Sequence, residues 1–130
     1  MDFLTVVCAI IYIEGKILVT QRSEKMKLPL KWEFPGGKLE KDESESECIK
    51  REIKEELNIE IRIIKRLSSS IHKYKDFKIR LIPYAVEYES GEIILTEHAR
   101  FQLIERHKLN SLDWAEADLP IVRELLNSEI

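Results

Sequence analysis

The chain has 130 residues, a formal net charge of −3 at neutral pH and two cysteines. This length allows a hydrophobic core and leaves no room for a second domain, so we expect residues 1–130 to form a single domain. The mild acidity argues against a surface that binds nucleic acid by general electrostatics. Cys8 and Cys48 lack metal-ligand spacing, which indicates buried, reduced thiols and a cytoplasmic protein.

The first part of the chain predicts two strands followed by a loop. Residues 3–13 form an almost continuous apolar run, which is shorter than the roughly 20 residues that span a membrane and is typical of a strand covered on both faces. A second strand is predicted over residues 16–21. Residues 22–31 are polar and rich in lysine, so we expect a flexible loop there. Arg22, where the second strand ends, is a candidate for binding phosphate.

Residues 44–58 predict a helix with signals at both ends. Ser44 and Glu47 have the spacing of a capping box, and Asn58 can end the helix in the left-handed conformation. The apolar positions recur at helical spacing and predict the buried face of the helix. They are Cys48, Ile49, Ile53 and Leu57.

Three acids share the face beside this apolar stripe, and they are Glu52, Glu55 and Glu56. Glu56 falls in the half of the helix that should face the core, where an unpaired carboxylate is costly, so we expect a positive charge there. A hard divalent cation bridged to phosphate groups is the usual compensation. A solvated helix is the ordinary alternative, but it predicts acids opposite the stripe and does not explain Gly36 and Gly37, where the backbone can approach a ligand.

The rest of the chain predicts short strands and two helices. Strands are expected over residues 60–67, 77–88 and 101–104, and helices over residues 105–109 and 116–126. Pro83 predicts an edge or a bulge, and a hairpin turning at 89–92 is expected to lead through 93–95. The three histidines lack ligand spacing and are interpreted as surface residues. They are His72, His98 and His107. The two longer predicted helices, at 44–58 and 116–126, together with a mixed sheet favour a three-layer α/β/α sandwich.

Residues 37–59 resemble the Nudix box of the Nudix hydrolase family, which usually has glycine where this chain has Asn58. The matching positions are Gly37, Glu43, Arg51, Glu52, Ile53, Glu55, Glu56 and Ile59. Six polar or glycine positions at fixed spacing make this a specific motif. Residues 9–22, 32–37 and 117–120 resemble the corresponding stretches of MutT-type and CTP pyrophosphohydrolase-type members, so the likeness covers nearly the whole chain.

The resemblance implies the same sandwich fold and a Mg²⁺-dependent enzyme, with Mn²⁺ as a possible substitute. The expected metal ligands are Glu52, Glu55 and Glu56, with a carbonyl oxygen of Gly36 or Gly37. The resemblance assigns the general base to Glu52 or to Glu97, and the sequence leaves this choice open. An ordinary solvated turn residue is the alternative for Glu97. Arg51 is expected to hold the loop before the helix through an ion pair with Glu43.

The resemblance favours Phe34 and Asp118 as residues that bind a nucleobase, and Lys38 could reach a phosphate. A carboxylate at position 118 can accept two adjacent N–H donors, which guanine offers and cytosine does not. We therefore expect a nucleoside triphosphate such as 8-oxo-dGTP to be cleaved to the monophosphate and pyrophosphate. CTP or a modified dCTP is the alternative, since residues 117–120 are equally similar to the cytidine type. Helix N-capping is the ordinary alternative for Asp118.

Two readings from other classes are less favoured. A nucleotide-sensing module with this fold would not need three converging carboxylates, and an isomerase acting on an isoprenoid diphosphate finds no support in the cysteine placement. We expect a monomer that binds neither nucleic acid nor membrane, because no exposed apolar stripe demands a partner.

Overall fold

A computed structural model describes residues 2–128, with the side chains of residues 4–128. Its strands are β1 (Asp2–Ile13), β2 (Lys16–Gln21), β3 (Trp32–Glu33), β4 (Gly36–Lys38), β5 (Glu60–Arg66), β6 (Ser70–Lys73), β7 (Phe77–Ser90) and β8 (Arg100–Ile104). The α-helices are α1 (Glu45–Leu57) and α2 (Leu119–Leu126), and 3₁₀ helices cover Arg106–Ser111 and Glu116–Asp118. The short strands β3, β4 and β6 are additions to the sequence-based prediction. No helix within residues 2–128 is long and apolar enough to cross a membrane.

All eight strands belong to one mixed sheet. The central order is β3-β2-β1-β7-β5, with β4 also paired to β1, β6 to β7 and β8 to β2. β1 and β7 run parallel over eleven residue pairs, from Asp2 opposite Phe77 to Tyr12 opposite Glu87, and the other pairs are antiparallel. The predicted mixed sheet is confirmed.

The buried strand β1 separates two hydrophobic clusters, because successive side chains of a strand point to opposite faces. Cys8 and Ile10 pack with the apolar face of α2 on one side. Val7, Ala9 and Ile11 pack with the apolar face of α1 on the other. Helices therefore cover both faces of the sheet, and the three-layer α/β/α sandwich is confirmed.

The hairpin predicted after β7 is wrong. Residues 91–95 form no strand, and the backbone N–H groups of Ile94 and Thr96 donate instead to the carbonyl oxygens of Leu57 and Glu56, at 3.0 and 3.2 Å. The last carbonyl groups of a helix have no partner within the helix, so this segment satisfies the end of α1. Ile93 and Leu95 pack against the hydrophobic cluster that contains α1, while Ile94 is exposed, and none of the three extends the sheet.

Pro83 predicted an edge or a bulge, and the edge is wrong, because β7 lies between β1 and β5 inside the sheet. A register shift occurs nearby, between Ile63 and Lys65 of the paired strand β5. Pro83 sits between the part of β7 that pairs with β6, which ends at Leu81, and the part that pairs with β5, which begins at Tyr84. The carbonyl of Pro83 accepts the N–H of Leu67 at 2.8 Å. This gap in the antiparallel pairing tolerates a residue without an N–H group.

Candidate active site

Helix α1 has the ends that its sequence predicts. The Ser44 hydroxyl accepts the N–H of Glu47 at 3.1 Å, and the Glu47 carboxylate accepts the N–H of Ser44 at 2.9 Å. Asn58 ends the helix with φ = 63°, in the left-handed region. Because Ile49 and Ile53 are fully buried, the rotation of the helix about its axis is fixed, and with it the direction of the acids.

Glu52 and Glu56 of α1 face a cavity of about 620 Å³ that has two chemically different ends. The acidic end contains Glu33, Glu52, Glu56 and Glu97. The other end is apolar and aromatic and includes Phe34, Tyr74, Phe77 and Asp118. Arg22, Lys27 and Lys38 also line the cavity. A cavity of this size, with an acidic end and an aromatic end, suits a nucleotide bound through a cation.

Glu56 is largely buried at the acidic end, as its place on the helix predicted, with a side chain that is 13% exposed. Its pKa is raised to about 9, chiefly by burial and then by the negative charges of Glu33, Glu52 and Glu97. A hydrogen bond from the backbone N–H of Gly36 acts in the opposite direction. Such crowding of carboxylates is costly unless a positive group shares the space.

Glu52 is also largely buried, and burial raises its pKa while Arg51 opposes the rise. Glu55 lies elsewhere: its side chain is 59% exposed, pairs with Arg51 at 3.3 Å and does not line the cavity. Within the described side chains, no three His, Cys, Asp or Glu residues lie close enough together to hold one ion. The three-glutamate ligand set therefore stays a prediction, and two of its members face the cavity.

The ion pair predicted between Arg51 and Glu43 is present and is bidentate. Arg51 Nε lies 2.6 Å from Glu43 Oε2, and Nη2 lies 3.0 Å from Oε1. This pairing lowers the pKa of the Glu43 carboxyl to about 2. Arg51 Nη1 donates to Glu52 Oε1 at 2.9 Å, so one guanidinium connects the loop before α1 to an acid of the cavity.

The two glycines before the helix have no room for a side chain. A Cβ at Gly36 would lie 2.0 Å from the carbonyl oxygen of Val7, and a Cβ at Gly37 would lie 2.2 Å from Cδ of Glu52. Gly36 thus permits the pairing of β4 with β1, whereas Gly37 leaves space for a carboxylate of the cavity. These are different requirements for glycine at adjacent positions.

The two basic side chains expected to bind phosphate, Arg22 and Lys38, both line the cavity, but their hydrogen-bond partners and exposure differ. Arg22 Nη1 pairs with Glu33 Oε1 at 2.8 Å, and Arg22 Nε donates to the carbonyl of Lys27. Lys38 is exposed, with its backbone in β4. Arg22 is therefore held at the cavity by its partners, while Lys38 reaches it from solvent.

Phe34 and Asp118 are brought together at the apolar end, although 84 residues separate them in sequence. The backbone N–H of Phe34 donates to Asp118 Oδ2 at 2.9 Å, and both residues are buried. Burial, followed by the charge of Glu33, raises the pKa of Asp118 well above its usual range. The side chain of Asp118 makes no capping hydrogen bond to α2, so the N-capping alternative is wrong.

Two residues of the site were missed or misread in the sequence. Tyr74 stacks on Phe77 with 5.2 Å between ring centroids, and its hydroxyl accepts the N–H of Ala117 at 3.2 Å. His98, which we interpreted as a surface residue, is buried, with Nε2 2.8 Å from Glu33 Oε2. The adjoining Glu97 is exposed at the cavity. No local pattern distinguishes His98 from a surface histidine, because its burial depends on β3 and α1.

Comparison with known proteins finds a matching family model and similar proteins that align with most of this chain. A family model described as the NUDIX domain matches residues 2–125. A CTP pyrophosphohydrolase of Escherichia coli is 32% identical over 126 residues, which cover 97% of this chain and 93% of that protein. An 8-oxo-dGTP diphosphatase of Haemophilus influenzae is 30% identical over 113 residues, covering 87% of this chain and 83% of that protein.

Solved structures also resemble this chain over its length. The solution structure of the E. coli ORF135 protein has a TM-score of 0.86 and 31% identity, and the match covers 98% of this chain and 91% of that one. A MutT protein of the Nudix hydrolase family from Staphylococcus aureus has a TM-score of 0.78 and 40% identity, with 98% of each chain covered.

Proposed function

Since this chain belongs to the Nudix hydrolase family, we propose that it is a metal-dependent pyrophosphohydrolase that cleaves a nucleoside triphosphate to the monophosphate and pyrophosphate. The observation that carries the proposal is the single cavity with two ends. The clustered carboxylates at one end suit a cation with its phosphate groups, and the buried Phe34 and Asp118 at the other end suit a base.

Nudix hydrolases generally depend on a divalent metal ion, and the oxygen donors of the acidic end suit one. Burial and then the neighbouring negative charges raise the pKa of Glu56, and a cation at this position would stabilise its ionised form. We propose Mg²⁺, with Mn²⁺ as a substitute. The residues that would hold it are Glu52, Glu55, Glu56 and a carbonyl oxygen of Gly36 or Gly37. When bound, the cation supplies neutralising charge for phosphate oxygens and orients them.

The residues of the chain then have separate tasks. Glu52 or Glu97 accepts the proton of the attacking water, and both line the cavity. Arg51 fixes the Glu52 carboxylate through the hydrogen bond from Nη1. Lys38 and Arg22 contact phosphate oxygens, which stabilises the charge of the polyphosphate.

The preferred substrate under this proposal is 8-oxo-dGTP. Asp118 is buried with one N–H donor, from Phe34, on Oδ2. Two further N–H donors from the edge of guanine would stabilise its ionised form, which burial disfavours. CTP or a modified dCTP is the second candidate, and the 32% identity with a CTP pyrophosphohydrolase favours it.

The proposal is tested by measuring pyrophosphate release from 8-oxo-dGTP, dGTP and CTP with Mg²⁺, and again with EDTA. We expect release that requires the metal, and the ranking of kcat/KM separates the guanine from the cytidine substrate. Better turnover of CTP than of 8-oxo-dGTP would refute the first substrate. Nucleotide binding without release from any triphosphate would refute triphosphate hydrolysis and leave either a hydrolase of nucleotide diphosphate conjugates, such as ADP-ribose, or a nucleotide-sensing module.

We also propose that the protein acts as a cytoplasmic monomer that binds no nucleic acid. Two free, buried cysteines and a net charge of −3 support this proposal. The exposed large apolar side chains are scattered over a loop, strands and the segment after β7, which is normal for a surface without a partner. Size-exclusion chromatography with light scattering measures the oligomeric state, and a stable dimer would contradict the proposal.

A further inference from the structure

His98 is a buried side chain on a segment that is otherwise exposed. Its side chain is 2% exposed, whereas Glu97 and Ala99 on either side are exposed. An imidazole in the interior needs partners for its ring nitrogens, because an unsatisfied polar group there costs free energy. The contacts of this ring therefore identify what it holds in place.

The two nitrogens of His98 face two different glutamates of the cavity. Nε2 lies 2.8 Å from Glu33 Oε2, and Nδ1 lies 3.7 Å from Glu56 Oε2. Glu33 is held from its other side by Arg22, at 2.8 Å, so the position of the ring is determined by a paired carboxylate. Among the described residues, Nδ1 has no hydrogen-bond partner, although it is buried.

Backbone hydrogen bonds hold the same segment on both sides of Glu97. The N–H of Thr96 donates to the carbonyl of Glu56 at 3.2 Å, and the N–H of Ala99 donates to the carbonyl of Gln21 at 2.9 Å. Residues 96–98 form neither a strand nor a helix, so no regular ladder fixes the residue between these bonds. The His98 ring is the buried side chain that anchors this stretch.

We propose that His98 is a positioning residue, which holds the segment that carries Glu97 against the acidic end of the cavity. The inference rests on the proposed function and on Glu97 as the base within it, with Glu56 among the residues that would hold the cation. His98 is among the residues that line the cavity, and its proposed role is to act through Glu97 and not on the substrate itself. It acts by fixing Glu97 in the short segment between Thr96 and Ala99, whose exposed position would otherwise vary.

The test replaces His98 by Ala and by Gln. The amide of His98→Gln can still donate to Glu33 from near the position of Nε2, whereas His98→Ala cannot. We expect His98→Ala to lower kcat about 10- to 100-fold with KM within about twofold, because small displacements of catalytic groups have effects of this size. His98→Gln should recover most of this loss. The matched control is His107→Gln, which changes an exposed histidine and should leave kcat unchanged.

A double variant of His98 and Glu97 distinguishes a positioning role of His98 from a general structural role. In a Glu97→Gln background, replacing His98 should lower kcat by no more than about twofold, because the group that His98 positions is already lost. Hydrogen exchange of the Thr96 and Ala99 amides should be at least about 10-fold faster in His98→Ala than in the wild type. His98→Gln should restore slow exchange.

Additive losses in the double variant, or unchanged exchange at Thr96 and Ala99, would overturn the inference. If His98→Ala does not fold, His98→Asn, whose shorter side chain cannot donate to Glu33 from the position of Nε2, and its double variant with Glu97→Gln decide the same question. Absence of pyrophosphate release by the wild-type protein would refute the proposed function alone, since the amide exchange rates still decide whether His98 anchors the segment.

Discussion

Replacing Gly37 by Ala should remove activity without unfolding the protein. The added Cβ would lie 2.2 Å from Cδ of Glu52 and 2.3 and 2.5 Å from its two carboxylate oxygens, where ordinary contacts begin at 3.4 Å. The carboxyl group must therefore retreat by roughly 1 Å or more, a displacement that can cost about 100-fold in rate. Gly37 cannot move away instead, because β4 pairs it with Val7 in β1.

The effect on stability should be small, because the atoms that must move are the end of a flexible side chain. Arg51 holds Glu52 Oε1 at 2.9 Å, and losing this hydrogen bond should cost about 1 kcal/mol. We expect kcat for pyrophosphate release to fall about 100-fold, with the free energy of unfolding lowered by no more than about 2 kcal/mol.

Two other glycines provide matched controls in chemical denaturation and the kinetic assay. Gly15→Ala places a Cβ in open space at φ = 80°, so it should lower stability by about 1 kcal/mol and leave kcat unchanged. Gly36→Ala meets the Val7 carbonyl at 2.0 Å, a backbone atom of β1, and should disrupt folding. A Gly37→Ala protein with near-normal kcat, or one that unfolds like Gly36→Ala, would refute this account of Gly37.

Other substitutions test the remaining assignments. Glu52→Gln should leave circular dichroism unchanged and lower kcat at least ~100-fold, and near-normal turnover would assign the base to Glu97. Asp118→Asn should keep the hydrogen bond from Phe34 and raise KM for the preferred triphosphate at least ~10-fold at similar kcat, whereas equal changes for guanine and cytosine nucleotides would contradict a base contact. The pKa of Glu43 falls from 4.5 to about 2 on folding, so its stabilisation is complete above pH 4.5 and is lost as the pH falls toward 2. Denaturation of Glu43→Gln should therefore show a deficit against the wild type at neutral pH that disappears near pH 2, and a constant deficit would disprove the linkage.

The local features of α1 were predictable because short-range interactions produce them. The capping box of Ser44 and Glu47, the left-handed Asn58 and the buried position of Glu56 follow from spacing along one helix, and all three are present. The strands β1 and β2 could also be predicted from the sequence, since apolar runs and alternation indicate burial directly.

Errors arose where a residue's partner lies far away in the chain. The apolar residues at 93–95 have the composition of a strand, but the end of α1 offers carbonyl groups near Leu57 that their backbone satisfies. Pro83 by itself predicts an edge or a bulge, and only the meeting of β5 and β6 along β7 leaves a gap for it inside the sheet.

The sequence by itself determined the family-like spacing of the acids and the helix that presents them, because both depend on neighbours a few residues apart. The tertiary structure alone decided that Glu55, which the sequence grouped with Glu52 and Glu56, remains exposed beside Arg51. It also decided that Asp118 meets Phe34 and that His98 is buried against Glu33. These contacts join residues that are 84 and 65 positions apart, and only the packing of the sheet and its helices brings such residues within hydrogen-bonding distance.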